Sequence, residues 1–434
     1  MSDSASDPRL RDLKDQVRHL EVSVKELTIL NDIATAISSA SSLEEIIELI
    51  IRKCIKHLRV EQGAVTLLDP KDEENPFRTM VRGADTSRKV TPYRLDMVLK
   101  GWMLKYQKPL VIDDLRTDER FKHFRKEETP IRSVLSVPMM LKGRMIGLLN
   151  AFNKKGSGGF TDGDRRLLSI IASQSAQVVE NARLHEEEQA LIAVRKEMEL
   201  AYSIQTDLLP TNAPDLPDYD IAGTSLPAKT VGGDYFDFID GGKGRLILCV
   251  GDVSGKGMPA ALLMANLQAT LRCLVLQDTD PSNCLERANK LMFESTGAER
   301  FVTLFLGLLD ATNHILTYAS AGHNPPLLFR EGEEPAVLSA RGIILGCFEN
   351  ATYSPESVPL KPGDILLAYS DGVTEAINSF EEEFGVENLK EMVLANRDDD
   401  VGTLIQKVTE AVRRHQSGSA QLDDMTLIAL KCTR

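Results

Sequence analysis

The stretch GGDYFDFIDGGKGRLILCVGDVSGKGMPAALLMA, residues 232–265, organises the chain. Asp234 follows two glycines, and Asp252 comes just after an apolar run that predicts a strand over Leu246–Val250. Pro259 opens a predicted helix, where a proline in the first turn is well tolerated. Carboxylates at strand ends, beside glycines that let a ligand approach the backbone, suit a hard cation and a phosphate. Each aspartate alone is better explained as a turn residue, so the prediction depends on acids further along the chain.

Two more acidic sites lie next to predicted strands. Asp371 follows the strand Asp364–Tyr369, and Asp423 and Asp424 precede the strand Met425–Leu430. Two carboxylates can hold one Mg²⁺, and three or four can hold two ions roughly 3.5–4 Å apart. Such a pair activates water and clamps a phosphoryl group, so the protein needs no nucleophile of its own. No cysteine is followed by an arginine six positions later, and no GxxxxGK[ST] run occurs, which argues against a cysteine phosphatase and a P-loop enzyme.

Length and composition limit the remaining possibilities. A chain of 434 residues predicts two or three domains, and a net charge of −13 argues against nucleic acid as the main partner. We find no apolar run long enough to span a bilayer, and the polar, acidic N-terminus does not resemble a secretory signal. The six cysteines are scattered without metal-binding spacing. We therefore expect free thiols, a reducing compartment and a cytoplasmic protein.

The N-terminal segment, residues 8–30, has the pattern of a coiled coil. Apolar residues repeat with three-and-four spacing in two series, Leu10, Val17 and Val24 with Leu13, Leu20 and Leu27. Asn31 continues the first series, where asparagine can favour a two-stranded register. The pattern predicts a parallel dimer, and the alternative is an amphipathic helix packed on its own domain.

A sensory-type α/β domain is predicted next, followed by a long helix. Ile29–Leu58 reads as a helix, and strands are predicted at Gly63–Leu68, Pro109–Ile112, Ser133–Met140 and Met145–Phe152. Thr161 and Asp164 resemble a capping box at the start of the next helix. That helix contains neither proline nor glycine from Asp164 to Leu209. Its segment 180–209 is a signalling coil in one interpretation and a solvated spacer in the other.

Residues 25–185 resemble a GAF domain. The resemblance is carried by LTILNDIATAISSASSLEEIIELI, KGWMLKYQKPLVIDDLRTDERF, IRSVLSVPMMLKGRMIGLLNAFNK and FTDGDRRLLSIIASQSAQVVENARL. The motif of the cyclic-nucleotide class is matched at Asn153, Lys154, Phe160 and Asp164, but Arg165 departs from it at the last place. In that family these residues brace the fold, so nucleotide binding does not follow. A small-molecule signal and a purely structural dimer module both remain open.

The C-terminal part, residues 210–434, resembles the SpoIIE-like branch of the PPM metal-dependent serine/threonine phosphatases. The motifs GGDYFDF, GDVSGKGMPAALLMA, FVTLFLGLLD, YASAGHNPPLL, ILLAYSDGVTEAIN and DDMTLIAL occur in the family's order. AYSIQTDLLP, just upstream, matches the segment that introduces this domain in RsbU-like proteins. The resemblance implies an α-β-β-α sandwich, so the whole chain is expected to be a multidomain α/β and α+β protein.

The resemblance also implies a set of metal ligands for two Mn²⁺ or Mg²⁺ ions. These are the carboxylates of Asp234, Asp252 and Asp371, the backbone carbonyl of Val253, and Asp423, with Asp252 bridging the ions. Asp424 falls where many relatives have asparagine and is the less favoured ligand. The phosphate-binding arginine and acid histidine of the general phosphatase family have no counterpart at the matching positions, so the proton donor to the leaving serine is unassigned.

Two other residues have alternative explanations. His323 is either a general acid or, preferably, a hydrogen-bonded turn histidine, because AGHNPP lies away from the metal-binding motifs in sequence. Lys256 is either a phosphate contact or a surface lysine at a helix terminus.

The function that this resemblance implies is a signal-regulated protein phosphatase. Relatives with a sensory domain act on a small STAS-type anti-sigma-factor antagonist in bacterial partner switching, and a homodimer is expected. The alternative is a phosphatase-like scaffold that binds a signalling partner without catalysis. A diguanylate cyclase, suggested by Gly232-Gly233-Asp234, is disfavoured because Tyr235 stands where that chemistry needs an acid.

Overall fold

The computed structural model describes residues 42–68, 77–83, 93–121, 130–156, 158–296 and 299–434, with isolated helical positions before residue 42. The described chain forms two compact units, Met1–Ala193 and Val194–Arg434. Much of the predicted coil at 8–30 lies outside the described residues, including Leu10 and Leu27, as does Asn31. The predicted seam positions that are described are helical and exposed, namely Leu13, Val17, Leu20 and Val24.

The first unit is built around one antiparallel sheet. Its elements are α1 (Leu43–Leu58), β1 (Val60–Leu68), β2 (Phe77–Gly83), α2 (Tyr93–Tyr106), β3 (Leu110–Ile112), β4 (Val134–Leu141), β5 (Arg144–Lys154) and the long helix α3 (Asp162–Leu208). The strands lie in the order β2-β1-β5-β4-β3. One face of the sheet packs against α1 and the first turns of α3, and the other packs against α2.

Helix α1 begins later than the apolar pattern predicted. Ser42 has an extended backbone conformation, and its hydroxyl accepts a hydrogen bond from the Glu45 backbone N–H. This is the geometry of an N-cap, in which the side chain replaces a missing intrahelical acceptor. The prediction of one continuous helix over Ile29–Leu58 is therefore wrong at Ser42.

Helix α3 starts at the predicted capping box. The Thr161 backbone N–H donates to Asp164 Oδ2 at 2.9 Å, and the Asp164 N–H donates to Thr161 Oγ1 at 3.2 Å. The helix then continues for 47 residues, as expected from the absence of proline and of further glycine. Several apolar residues of its charged second half point to solvent, among them Leu184, Leu191 and Val194.

The motif residues of the first unit brace its fold. Asn153 donates to Glu61 and to the Pro130 carbonyl, and Lys154 joins Asp164 at 2.7 Å while also reaching the Leu58 carbonyl. These contacts tie the end of β5 to α1 and to the start of α3. Phe160 is buried in the core between α1 and the sheet. Arg165, the departure from the motif, makes only a surface pair with Asp162.

The second unit is a four-layer sandwich. Its strands are β6 (Tyr219–Leu226), β7 (Tyr235–Gly242), β8 (Arg245–Val253), β9 (Val302–Asp310), β10 (Ile315–Ala321), β11 (Leu327–Phe329), β12 (Ala336–Val337), β13 (Glu356–Pro359), β14 (Ile365–Tyr369) and β15 (Met425–Cys432). Its helices are α4 (Met258–Val275), α5 (Pro281–Thr296), α6 (Asp371–Thr374), α7 (Gly385–Ala395) and α8 (Val401–Gln416). One sheet has the order β13-β10-β9-β8-β7, and the other has the order β12-β11-β14-β15-β6.

Alternation along the strands explains the layers, because successive side chains point to opposite faces. On β8, Leu246, Leu248 and Val250 face the second sheet, whereas Ile247 and Cys249 face α4 and α5. Helices α7 and α8 cover the outer face of the second sheet. The predicted α-β-β-α arrangement is confirmed.

Helix α4 contradicts the expectation that no segment is apolar and long enough to span a bilayer. By length and composition alone it could cross a membrane, and it is the one helix of the described residues that meets this test. The sequence analysis found no such stretch. The apolar side of α4, including Leu263, Met264 and Leu267, is buried in the core against the first sheet. Packing inside the domain therefore explains why the helix is so apolar.

Candidate metal centre

The acid-bearing segments meet at one end of the sandwich. Asp234 directly precedes β7, and Asp252 lies near the end of β8, where Tyr235 pairs with Gly251. In the other sheet, Asp371 follows β14, and Asp423 comes just before β15, the strand that pairs with β14. The four predicted acidic sites are therefore at neighbouring strand ends of two stacked sheets.

Glycines bring these segments into backbone contact. A Cβ atom at Gly232 would collide with the Asp424 carboxylate, and one at Gly372 would collide with the Asp424 carbonyl. A Cβ at Gly233 would come within 2.8 Å of the Val253 carbonyl oxygen, the predicted backbone ligand. Because only glycine leaves this space free, the GGD, GDVSG, SDG and DD motifs can assemble at one point.

Asp424 braces the site through its side chain. Its Oδ1 accepts a hydrogen bond from the Ala228 backbone N–H at 2.7 Å. Its Oδ2 accepts from Gly233 at 2.6 Å and from Asp234 at 3.3 Å. With both oxygens bound to backbone groups, this carboxylate holds the GGD turn against β15. The arrangement agrees with its lower rank among the predicted ligands.

Crowding of buried carboxylates makes the site strongly electronegative. Burial raises the pKa of Asp234 well above its usual value, and the neighbouring Asp252 adds to the shift, opposed by the nearby hydroxyls of Thr426 and Ser370. Burial, followed by the charges of Asp371 and Asp423, raises the pKa of Asp252 to about 7. Burial and Asp423 also raise the pKa of Asp371. A bound cation would offset the cost of ionising these groups.

Asp423 is engaged by a lysine. Lys256 Nζ lies 2.8 Å from Asp423 Oδ2 and 2.6 Å from the Leu422 carbonyl oxygen, and Asp423 Oδ1 accepts from the Asp424 N–H at 3.0 Å. In the part of the chain that the structure describes, no three acidic, histidine or cysteine side chains enclose an ion as they stand. A metal ligated by Asp423 Oδ2 therefore requires the Lys256 side chain to move.

The residues nevertheless fit a divalent-metal centre. Asp234 Oδ2 is buried and has no hydrogen-bond partner among the described residues. This is expected of an oxygen whose partner is a bound cation. The donor set consists of carboxylate and carbonyl oxygens, which suit Mg²⁺ or Mn²⁺. Among the predicted ligands, Asp423 would have to release the Lys256 ammonium group before its Oδ2 could bind an ion.

His323 lies near this centre, contrary to the expectation from its place in the sequence. It is buried, and its Nδ1 is 2.9 Å from Thr303 Oγ1. Thr303 is the cross-strand partner of Asp252 in the β8–β9 pair. Burial lowers the pKa of His323 to about 4, so the ring is neutral at physiological pH. A buried neutral imidazole does not suit the general acid, and the preference for a hydrogen-bonded histidine agrees with the structure.

Gln205, on the last turns of α3, was given no role in the sequence analysis. Its side chain is buried, with Nε2 donating to the Gly232 carbonyl at 2.7 Å and Oε1 accepting from the Gly232 N–H at 3.0 Å. The long helix is thus bonded to the backbone two residues before Asp234. The signal was the segment AYSIQTDLLP, whose glutamine lies near the end of the predicted helix, just before the turn that leads to the phosphatase motifs.

Comparison with known proteins identifies both parts of the chain. Residues 242–433 match the family described as Stage II sporulation protein E (SpoIIE), and residues 40–180 match the GAF domain family. The chain is 31% identical over 241 residues to the phosphoserine phosphatase RsbU of Bacillus subtilis, spanning 55% of this chain and 70% of that protein. It is 30% identical to protein IcfG of Synechocystis over 54% of this chain, but covers only 41% of that longer protein.

A solved structure supports the fold of the second unit. The SiaA-PP2C domain of Pseudomonas aeruginosa superposes with a TM-score of 0.51 at 20% identity, covering 56% of this chain and 98% of that domain. The similarity to RsbU covers most of that phosphatase, and the sandwich carries the family's motifs in the family's order. The chain therefore belongs to the SpoIIE-like branch of the PPM serine/threonine protein phosphatases, with a GAF domain preceding the phosphatase domain.

Proposed function

We propose that this protein hydrolyses phosphoserine or phosphothreonine on a protein substrate at a centre that holds two Mn²⁺ or Mg²⁺ ions. The observation that carries the proposal is the convergence of Asp234, Asp252, Asp371 and Asp423 at one end of the sandwich, with Asp234 Oδ2 buried and unpartnered. Burying several carboxylates close together destabilises a fold, so this arrangement favours a binding role over a purely structural one.

The roles of the residues follow from their positions. Asp234, Asp252, the Val253 carbonyl, Asp371 and Asp423 would hold the ions, with Asp252 central because the other three aspartates all affect its pKa. Bound ions would supply activation of water and neutralisation of the phosphoryl charge. Asp424 and the glycines orient the ligands. Four of the six cysteines are buried, and the other two lie outside the segments that carry the acids, so no thiol is placed as a nucleophile.

The proposed substrate is a small STAS-type anti-sigma-factor antagonist. Support comes from the similarity to RsbU, which is named a phosphoserine phosphatase, and from the presence of a domain of a sensory class ahead of the catalytic one. Dephosphorylation of such a protein would place this chain in a partner-switching pathway. A cytoplasmic location remains the expectation from its cysteine usage.

Regulation is proposed to act through a homodimer. The exposed apolar residues Leu184, Leu191 and Val194 of α3 continue the predicted 180–209 coil, and a second copy would bury them. A signal on the GAF domain would then change the packing of the two α3 helices. Gln205 carries that change to the turn that holds Asp234.

The deciding experiment compares Asp252→Asn with Asp240→Asn on the full chain. Asp240 is an exposed residue of β7 whose carboxylate bonds only its own turn, so it serves as the matched control. With a phosphoserine protein and Mn²⁺, Asp252→Asn should lose hydrolysis with the fold intact by circular dichroism, while Asp240→Asn keeps it. Chelator should abolish wild-type activity, whereas iodoacetamide should not.

Two outcomes would contradict the proposal. A hydrolysis rate of Asp252→Asn within severalfold of the wild-type rate would show that Asp252 is not an essential metal ligand. A wild-type protein that binds phosphoprotein but does not hydrolyse it, with any of several divalent ions, would favour the scaffold.

A further inference from the structure

His323 occupies the corner where the chain passes from one sheet to the other. Strand β10 of the first sheet ends at Ala321, and β11 of the second begins at Leu327. Gly322 has a φ of +69°, and a Cβ there would come within 2.7 Å of Ile344 Cγ2. Pro325 and Pro326 restrict the backbone on the other side of the histidine. The corner therefore holds the imidazole in a defined position.

The imidazole bonds the first sheet at the end that carries the acids. Its Nδ1 is 2.9 Å from Thr303 Oγ1 on β9. Its loop leads into β11, which pairs antiparallel with β14 so that Leu327 lies opposite Leu367, and the residues before Leu327 therefore approach the end of β14. His323 Nε2 is buried and has no hydrogen-bond partner among the described residues.

The hydrogen bond and the loop lead to two predicted ligands in different sheets. Thr303 stands opposite Asp252, and directly opposed residues of an antiparallel pair point to the same face with Cβ atoms about 4.5–5.5 Å apart. Strand β14 ends at Tyr369, two residues before Asp371. The buried imidazole therefore lies between the strand ends that carry these two acids.

We propose that His323 is a positioning residue of the metal centre: from the corner beside the end of β14, its imidazole holds Thr303, and through it Asp252, at a fixed spacing from Asp371. The proposal rests on the function proposed above, in which both aspartates are ligands. His323 contacts neither the ions nor the substrate. It acts through the strands, as partners that orient ligands do in other metal sites.

The test measures Mn²⁺ affinity of the metal-free full chain by titration calorimetry, for wild type, His323→Ala and His323→Asn. Loss of groups that orient ligands typically weakens metal binding about 10- to 100-fold, and we expect about tenfold for His323→Ala because it acts one contact further away. His323→Asn should recover part of the affinity, since its amide can still bond Thr303.

Asn289 provides the matched control for a purely structural loss. It is a fully buried polar residue of α5 that bonds the backbone at Gly346, Phe348 and Glu349, with no hydrogen bond to any of the acids. Asn289→Ala should lower the unfolding temperature without weakening Mn²⁺ binding. Thr303→Val replaces the hydroxyl by a methyl group of similar size, so it tests the contact even if His323→Ala fails to fold.

The double variant Thr303→Val/His323→Ala should weaken binding less than the product of the single effects, because both changes break one contact. Equal metal affinity for wild type, His323→Ala and Thr303→Val would overturn the proposal, as would an equal loss in Asn289→Ala. Loss of the basic limb of the kcat/KM–pH profile in His323→Asn, with unchanged Mn²⁺ affinity, would instead make His323 the general acid. A wild-type protein that binds no Mn²⁺ would contradict the proposed function itself.

Discussion

Replacing Gln205 by alanine should weaken metal binding although Gln205 is not a ligand. The change removes two hydrogen bonds, of 2.7 and 3.0 Å, between the end of α3 and the Gly232 backbone. Gly232 stays buried, because the Asp424 carboxylate and Pro227 pack where its side chain would be. Its N–H and C=O groups are therefore left without these partners.

The size of the effect follows from the cost of the unpaired groups. A buried polar group that loses its partner costs about 1–3 kcal/mol. If about 1–2 kcal/mol of this cost is expressed as displacement of Asp234, the Mn²⁺ dissociation constant should rise about 5- to 30-fold. The remainder of the cost should appear as a lower unfolding temperature of the phosphatase domain.

Titration calorimetry of the metal-free full chain measures the predicted change directly. Gln268→Ala is the matched control, because Gln268 Nε2 bonds the same helix end through the Leu208 carbonyl at 3.2 Å without touching the turn that holds Asp234. An Mn²⁺ dissociation constant of Gln205→Ala equal to that of the wild type would refute the prediction. An equal loss in both variants would also refute it, since general docking of α3 would then be responsible.

Three further predictions concern the acids, Lys256 and the linker. Since the pKa of Asp252 is raised from 3.8 to about 7 in the folded state, the folded metal-free protein binds more protons than the unfolded chain between these values. Its unfolding temperature should therefore fall as pH rises from about 4 to about 7, and Asp252→Asn should make this fall smaller. An unfolding temperature of the wild type that does not change over this pH range would contradict the prediction. Lys256→Met should raise Mn²⁺ affinity about two- to fivefold because it frees Asp423, and this is the size expected for a half-exposed ion pair. Lys229→Met is the control: it removes the same charge nearby and should change Mn²⁺ affinity little. Inserting two residues after Ala190 turns the downstream helix by about 200° and should alter the phosphatase rate, whereas seven residues roughly restore the seam and should keep regulated activity. Equal rates in both insertion variants, with dimers intact by light scattering, would make the linker a passive spacer.

The strands around the acid motifs were predictable because each is a short apolar run next to glycine and aspartate. The start of α1 was predicted wrongly, although Ser42 and Glu45 form a readable capping signal. Helix α8 was missed for a similar reason. Asp400 caps it at the Thr403 N–H, and its apolar residues recur at helical spacing, so the helix was readable although it was not predicted.

Other features could not be inferred without strand register. His323 appeared remote because it lies 71 positions after Asp252 in a loop of its own. Only the pairing of Asp252 with Thr303 shows that the loop returns to the same end of the sandwich. The pair of Lys256 with Asp423 and the bond of Gln205 to Gly232 are likewise contacts between distant segments. Local patterns carry no information about such contacts, because they depend on how the two sheets are stacked.

The position of β15 affects how the protein folds while it is synthesised on the ribosome. This strand lies between β14 and β6 in its sheet, and Asp423 comes about 190 positions after Asp234, so the centre depends on pairings of very high sequence separation. Until residues 425–432 emerge, β14 and β6 present unpaired edges, which are templates for aggregation. A partly synthesised chain can thus form its GAF domain early, but it cannot bind metal at the complete site or act on a phosphoprotein before its last strand is inserted.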